Sequence, residues 1–434
     1  MTFLRLRAKD FRAKLGAFVG TGEASPDVRD AVAGIIADVK RRGDAAVLAY
    51  TAKFDRAKLT AARQRIPLAE LRRAAAGFAP AKKKAFDEAA KCVTSFHART
   101  LPQGWTAQNP HGATVGERHH AIRRCGLYIP GGQVPLVSTV LMTALPAKVA
   151  GVPELCACTP PGPDGKINPD ILAALYLCGV TEVYAVGGAQ AVAAMALGTR
   201  TIAPVDKIFG PGNTFVTEAK RQVFGLVGVD LLPGPSEVMI IADRTARAEW
   251  VAADLCAQAE HGSGKEKLYL VTESEAFAKQ CLAAARAQSA SLTHGEKIRK
   301  ALAAKVCAIL VPKIEDAAEA ANLVAPEHLE LMVAPAKLKA LSARITTAGA
   351  ILLGHHTPTV LGDFTAGPSH TLPTGGTGRF FSGLRVADFL RRTSLVEYSP
   401  ASLKKAAAVV DAFARMERLD AHGRSLTMRL DPKA

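Results

Sequence analysis

The pair Glu327-His328, within Val324-Ala325-Pro326-Glu327-His328-Leu329-Glu330, has the clearest chemical potential in the chain. A carboxylate beside an imidazole offers two bases of different strength for proton transfer, although adjacent Glu-His also arises by chance. A second run, Asp254-Leu255-Cys256-Ala257-Gln258-Ala259-Glu260-His261-Gly262, reads as a helix stopped by its glycine. Gln258 and His261 stand at i and i+3 and therefore share a face. Histidine is a common zinc ligand and a glutamine carbonyl oxygen an unusual one. Alone, His261 reads as a helix C-terminal histidine favoured by the dipole. Asp363 and His370 lie in a stretch bounded by glycine and proline, Gly362 to Pro373. They would offer a hard ligand and a polar contact, or else a capping aspartate and a surface histidine. Glu417 and His422 sit in a predicted helical tail, where their spacing is only suggestive.

Three glycine-rich turns form a second group: Tyr128-Ile129-Pro130-Gly131-Gly132, Gly187-Gly188-Ala189-Gln190 and Gly210-Pro211-Gly212-Asn213. No G-x-G-x-x-G fingerprint accompanies them. Each follows a candidate strand, and the last two open a helix, with Asn213 a natural N-cap. Glycine lets backbone approach a ligand, and a helix N-terminus favours phosphate. One such turn is an ordinary strand-to-helix connection. Three at the carboxyl ends of parallel strands predict a ligand crevice.

The elements that must carry these residues alternate. Candidate strands at 126–129, 155–158, 182–186 and 207–209, with helices between them, predict a parallel sheet. A second set at 238–241, 268–271, 306–311 and 350–353 predicts another. Residues 1 to about 120 read as mostly helical, and the second sheet is expected to use these helices as cover. The stretch from Gly362 to Gly378 reads as a long loop, a length at which loops are usually functional. From about 384 the strand signal fades into a helical tail.

The fold class expected is therefore α/β, with two parallel-sheet lobes. The domains expected are a helical segment over 1–24, a discontinuous lobe over 25–125 plus 237–383, a lobe over 126–236 and a tail over 384–434.

Composition narrows the function classes. The chain has 434 residues, too many for one core. Its 55 Lys+Arg against 39 Asp+Glu give a net charge of +16. That charge is scattered, with no basic arm, zinc-finger spacing or RNA-binding aromatic signature, so a solvated surface is expected rather than nucleic-acid binding. Eight cysteines without a C-x-x-C pair sit mostly in apolar runs. They read as core thiols in a reducing, cytoplasmic setting. No apolar signal region or membrane-spanning stretch is expected.

Taken in order, the runs Gly126 to Gly132, Lys207 to Asn213, Gly234-Pro235-Ser236-Glu237-Val238, Gln258 to Gly262, Ala325 to Glu330, and Gly362-Asp363-Phe364 with His370 resemble the histidinol dehydrogenase family. The resemblance covers the chain from its N-terminal helices to its tail. It implies two incomplete Rossmann-like lobes, as in aldehyde dehydrogenases, in a homodimer. It implies one zinc per subunit held by Gln258, His261, Asp363 and His422, and NAD contacted by Tyr128, Gln190 and Asn213. It implies that Ser236, Gln258, His261, His328, Asp363, Glu417 and His422 bind substrate, with His370 a further contact. Glu417 and His422 would cross into the partner's site. The implied reaction oxidises L-histidinol through L-histidinaldehyde to L-histidine, with Glu327 and His328 catalytic.

Other readings remain at this stage. Relatives on the same scaffold oxidise other alcohols, including sulfonated ones. A zinc hydrolase using His261, Asp363, His422 and Glu327 would need no NAD and has no use for the glycine turns.

Overall fold

The computed structural model describes residues 2–20, 24–131, 135–261 and 264–430. Two parallel sheets organise them. The larger has six strands, adjacent in the order Thr2–Arg5, Val306–Leu310, Lys267–Thr272, Glu237–Ala242, His328–Met332 and Ala350–Leu353. Three of its four inner strands are buried along their whole length, and the fourth, Lys267–Thr272, at all but its first residue. This burial on both faces explains why they read as near-continuous apolar runs rather than as alternation. Leu329 and Leu331 pack under the helices Ala317–Val324 and Pro335–Ala343, with Phe11 and Leu15 of the helix Phe11–Val19. Met332, on the opposite face, packs toward the helices Ala248–Ala259, Glu275–Ser289 and Gly295–Ala304.

The smaller parallel sheet has five strands in the order Glu182–Ala185, Glu154–Thr159, Arg124–Tyr128, Lys207–Phe209 and Gly228–Val229. Successive strands run outward from Arg124–Tyr128 on one side and then resume on its other side. Strand order thus reverses between Arg124–Tyr128 and Lys207–Phe209, where an open α/β sheet forms a crevice. In the six-stranded sheet the reversal lies between Glu237–Ala242 and His328–Met332.

Four expectations are corrected. The N-terminal segment is not wholly helical, because Thr2–Arg5 extends the six-stranded sheet in parallel with Val306–Leu310. Its strand is only four residues long and has one buried side chain, too little for a periodic signal. The helices between 26 and 98 cover the five-stranded sheet, not the six-stranded one, so they do not join 237–383 in one core. Val32, Ile35 and Val39 of the helix Pro26–Arg42 pack with Ala189, Val192 and Ala193. Leu71 and Phe86 join Val140 and Leu172 on the other face. Helix periodicity shows which face is apolar, but not which sheet it will meet.

The tail is not purely helical either. Leu390–Glu397 pairs antiparallel with Thr114–Ala121, which also pairs with Trp105–Gln108. None of its residues is buried, so the period-two alternation that marks a half-buried strand is weak. Finally, the stretch from Gly362 is partly helical: Thr359–Phe364 is a short helix with Asp363 in its last turn. A 3-10 turn follows at Thr377–Arg379. Among the described residues, no helix is long and apolar enough to cross a membrane.

Candidate functional site

The carboxyl edge of the five-stranded sheet faces the amino edge of the six-stranded sheet. Lys265, just before the strand Lys267–Thr272, reaches Thr214 Oγ1 at 3.3 Å. Thr217 donates its hydroxyl to Pro233 O at 2.8 Å, and Ser369 donates to Met142 O at 3.1 Å. The crevice rule for carboxyl ends holds for one lobe, while the other presents the opposite ends of its strands.

On the five-stranded side, the three turns converge on Tyr128. Its hydroxyl accepts the Gly188 N–H at 3.1 Å. Gly188 has φ +66°, and a Cβ there would lie 2.7 Å from Gln190 Oε1. Gly210 has φ +113°, and a Cβ there would collide with the Tyr128 carbonyl oxygen. Gly210 lets its turn pack against the Tyr128 backbone, and Gly188 lets its own turn close over the Gln190 side chain.

Asn213 caps the helix Thr214–Val223, its Oδ1 accepting from Phe215 and Val216 N–H at 3.0 and 3.1 Å. Gln190 is 1% exposed, and both of its amide atoms lack a partner. The Thr159 hydroxyl, beside Gly131, is also buried and unpartnered. Buried polar groups are normally satisfied, so these orphans fit a polar cofactor such as a dinucleotide. Gly132 of the first expected turn and Gly262, the expected helix stop, lie outside the described residues.

No residue pattern marks what anchors the Gly210 turn. Lys220 is fully buried, donates to Gly210 O at 2.9 Å and forms an ion pair with Asp230. The other Asp230 oxygen accepts the Gly210 N–H at 2.7 Å. A buried lysine on a helix leaves no trace in residue patterns.

On the six-stranded side, Ala325 adopts a left-handed conformation, φ 49°, and ends the helix Ala317–Val324. Pro326 follows, and Glu327 arrives at the head of the strand His328–Met332. Both Glu327 and His328 are 6% exposed. Glu327 Oε1 lies 3.9 Å from His328 Nε2, and its Oε2 accepts the Glu237 N–H at 2.8 Å.

Burial pushes the Glu327 carboxyl well above its usual range, and the carboxylates of Glu237 and Asp363 add to this, against the Glu237 N–H. Burial also pushes the His328 imidazole down to about 4; Asp363 opposes the shift, and His370 and His261 assist it. The usual order of the two is thus inverted: the carboxyl holds a proton more tightly than the imidazole beside it. Environments that push two groups apart in this way mark acid and base roles.

Asp363 sits 3.7 Å from His370 Nδ1. Burial raises its pKa, but His370, His328 and His261 together outweigh this and hold it below the ordinary value. These four residues are therefore brought together. His261 does not share a helix face with Gln258: the helix ends at Ala259, and His261 is exposed two residues beyond. Gln258 is 3% exposed, and its amide nitrogen has no partner. Ser236 directly precedes the Glu237 N–H that holds Glu327.

Glu417 and His422 are not brought to this cluster. Both are exposed on the tail, and His422 is not among the charged groups that act on Asp363. Among the described residues, no group of three His, Cys, Asp or Glu is placed to hold a metal ion. A buried amide, a carboxylate and an imidazole at this edge nevertheless fit zinc in donor chemistry, with positions left for further ligands. All eight cysteines are free, and seven are buried.

Sequence reasoning missed several residues around these. Glu237, Lys267, Asp254 and Glu330 are ionisable groups at or behind the site. The one signal available was the position of Glu330 two residues after His328. It would have shared a face with His328 had a strand been assigned there.

Comparison with known proteins is consistent along the whole chain. A family model described as histidinol dehydrogenase matches residues 21–430. The histidinol dehydrogenase of Ruegeria pomeroyi is 46% identical, covering 99% of this chain and 98% of its own. That of Rhodospirillum rubrum is also 46% identical, over 99% of both chains. The crystal structure of histidinol dehydrogenase from Elizabethkingia anophelis superposes with a TM-score of 0.92 at 34% identity, covering 99% of this chain and 98% of that one.

Proposed function

This chain belongs to the histidinol dehydrogenase family of oxidoreductases, and from that premise we propose that it oxidises L-histidinol to L-histidine in two NAD-linked steps at a zinc site. The adjacent Glu327 and His328, with inverted proton affinities, carry the reading. His328, a neutral imidazole, takes the hydroxyl proton of the substrate as the carbinol carbon gives up hydride. Glu327, whose burial makes it a strong base when ionised, then takes a proton from the water that hydrates the aldehyde, while the protonated His328 returns its proton to the aldehyde oxygen and is again a neutral base. His328 deprotonates the resulting diol as the second hydride leaves. When bound, NAD would accept the two electrons of each oxidation as hydride, so two NAD would be consumed.

Gln258, His261 and Asp363, with the partner subunit's His422, would hold the zinc. When bound, it supplies a template that grips the imidazole and amine of the substrate. Ser236 and His370, with the partner subunit's Glu417, orient the substrate. Tyr128, Gln190 and Asn213 line the cofactor crevice, supported by the orphaned amide of Gln190. The exposure of Glu417 and His422 supports a homodimer in which each tail completes the other subunit's site. So do the exposed apolar side chains Val409, Phe413 and Met416 on the helix Pro400–Met416. The free thiols fit a cytoplasmic enzyme.

Substrate competition tests the proposal. NADH formation is measured with L-histidinol and, separately, with a sulfonated diol. Turnover of L-histidinol is expected, with at most a trace from the diol; the reverse preference would overturn the assignment.

A further inference from the structure

Three separate elements deliver site residues: the helix Ala248–Ala259 brings Gln258, the strand His328–Met332 brings His328, and the short helix Thr359–Phe364 brings Asp363. One side chain touches all three. Glu330 lies two residues beyond His328 and therefore on the same face of the strand. It is 1% exposed. Its Oε1 accepts from the Thr359 N–H at 2.7 Å and from the Thr359 hydroxyl at 2.6 Å. The Asp254 carboxyl lies close enough to raise the pKa of Glu330, whose Oε2 is buried with no donor on it. Asp254 stands one helical turn before Gln258, and Thr359 one turn before Asp363, so each contact is four residues from an expected ligand.

We propose that Glu330 is a positioning residue, a buried clamp with Asp254 and Thr359 that fixes Gln258 and Asp363 relative to His328. The inference rests on the reading of Gln258 and Asp363 as zinc ligands.

The chemistry of the pair fits a clamp. Two buried carboxyls can stay this close only if they share a proton. Burial raises both, and in Glu330 the neighbouring Asp254 adds to the rise. The Glu330 oxygen facing Thr359 remains an acceptor in either protonation state. Glu330 therefore serves by geometry rather than by charge, and an amide of the same shape can replace it. Gln at 330 keeps the acceptor for Thr359 and offers an N–H to an ionised Asp254. Leu keeps the bulk and loses both bonds.

The test is zinc affinity of the full-length protein, read by competition with a metallochromic indicator, which needs no turnover. Glu330→Leu is expected to weaken zinc binding by roughly 10–100-fold, as loss of an outer support does. Glu330→Gln should stay within about threefold of the parent, because both hydrogen bonds persist. Thr359→Val, which removes only the hydroxyl bond, should show a smaller loss than Glu330→Leu and guards against a Leu variant that does not fold. Circular dichroism confirms folding. Parent-like zinc affinity in folded Glu330→Leu and Thr359→Val would overturn the inference. So would a Glu330→Gln variant as weak as the Leu variant, since charge would then be what matters. A parent protein that binds no zinc would instead remove the zinc reading, and the clamp's purpose with it.

Discussion

The backbone N–H of Glu237 holds the carboxylate of Glu327 at 2.8 Å, joining the heads of two neighbouring parallel strands. That bond fixes one oxygen of Glu327 and leaves the other 3.9 Å from His328. The two bases are therefore held in separate orientations, and they should fail separately. His328→Asn is expected to slow both oxidations, since a proton is removed in each. Glu327→Gln should chiefly slow the aldehyde step, which alone needs activated water. The affected steps should fall by about 10²–10⁴-fold. Assays started separately from histidinol and from histidinaldehyde decide this. Equal loss in both from Glu327→Gln would contradict the division of roles.

The Lys220–Asp230 pair predicts a stability effect away from the chemistry. Both side chains are 1% exposed, and both bind the Gly210 turn. Lys220→Met leaves a buried carboxylate unpaired, which should cost about 3–5 kcal/mol by denaturant unfolding. Lys220→Met with Asp230→Asn should recover part of that loss. If the single variant unfolds like the parent, the pair does not anchor the turn.

This pair also shows where the sequence stopped being legible. The strands Lys207–Phe209 and Ala350–Leu353 were readable to the residue, because each is a short apolar run between turns. Asn213 was readable as a cap, because capping is local. Thr2–Arg5 and Leu390–Glu397 were not, since neither carries an apolar run or a buried alternation, and each takes its identity from the partner it meets. The same limit applies to Val32 and Leu71: their helix faces were legible, but their sheet was not. Within the site, Glu327 and His328 could be picked out because they are adjacent. Lys220 and Glu330 act through tertiary contacts that no spacing encodes.

His97 makes a pH-dependent contribution. It is fully buried, with both ring nitrogens unpartnered, and burial pushes it from 6.5 down to about 4. The folded form therefore binds fewer protons than the unfolded form between those values. Stability from this group is intact above pH 6.5, falls as pH drops toward 4, and changes no further below that. His97→Phe removes the term, so its Tm should fall less than that of the parent between pH 7 and pH 5. Parallel falls in differential scanning fluorimetry would contradict the assignment.

The exposed tail predicts complementation. His422→Ala and His328→Ala chains are each expected to be inactive. Mixed and refolded, they form heterodimers in which one site carries both lesions and the other none. Activity should approach a quarter of the parent level on random mixing. Mass-tagged exchange without recovery would show that His422 serves its own chain.

The central claim is a four-electron oxidation at one zinc site, and counting reducing equivalents tests it most directly. Purified protein, excess NAD and a limiting, known amount of L-histidinol are taken to completion, with NADH read by absorbance and the product identified by chromatography. The account predicts two NADH and one L-histidine per L-histidinol, abolished by a chelator and restored by zinc. A single NADH per substrate with the aldehyde accumulating, or full turnover by metal-free protein, would contradict it.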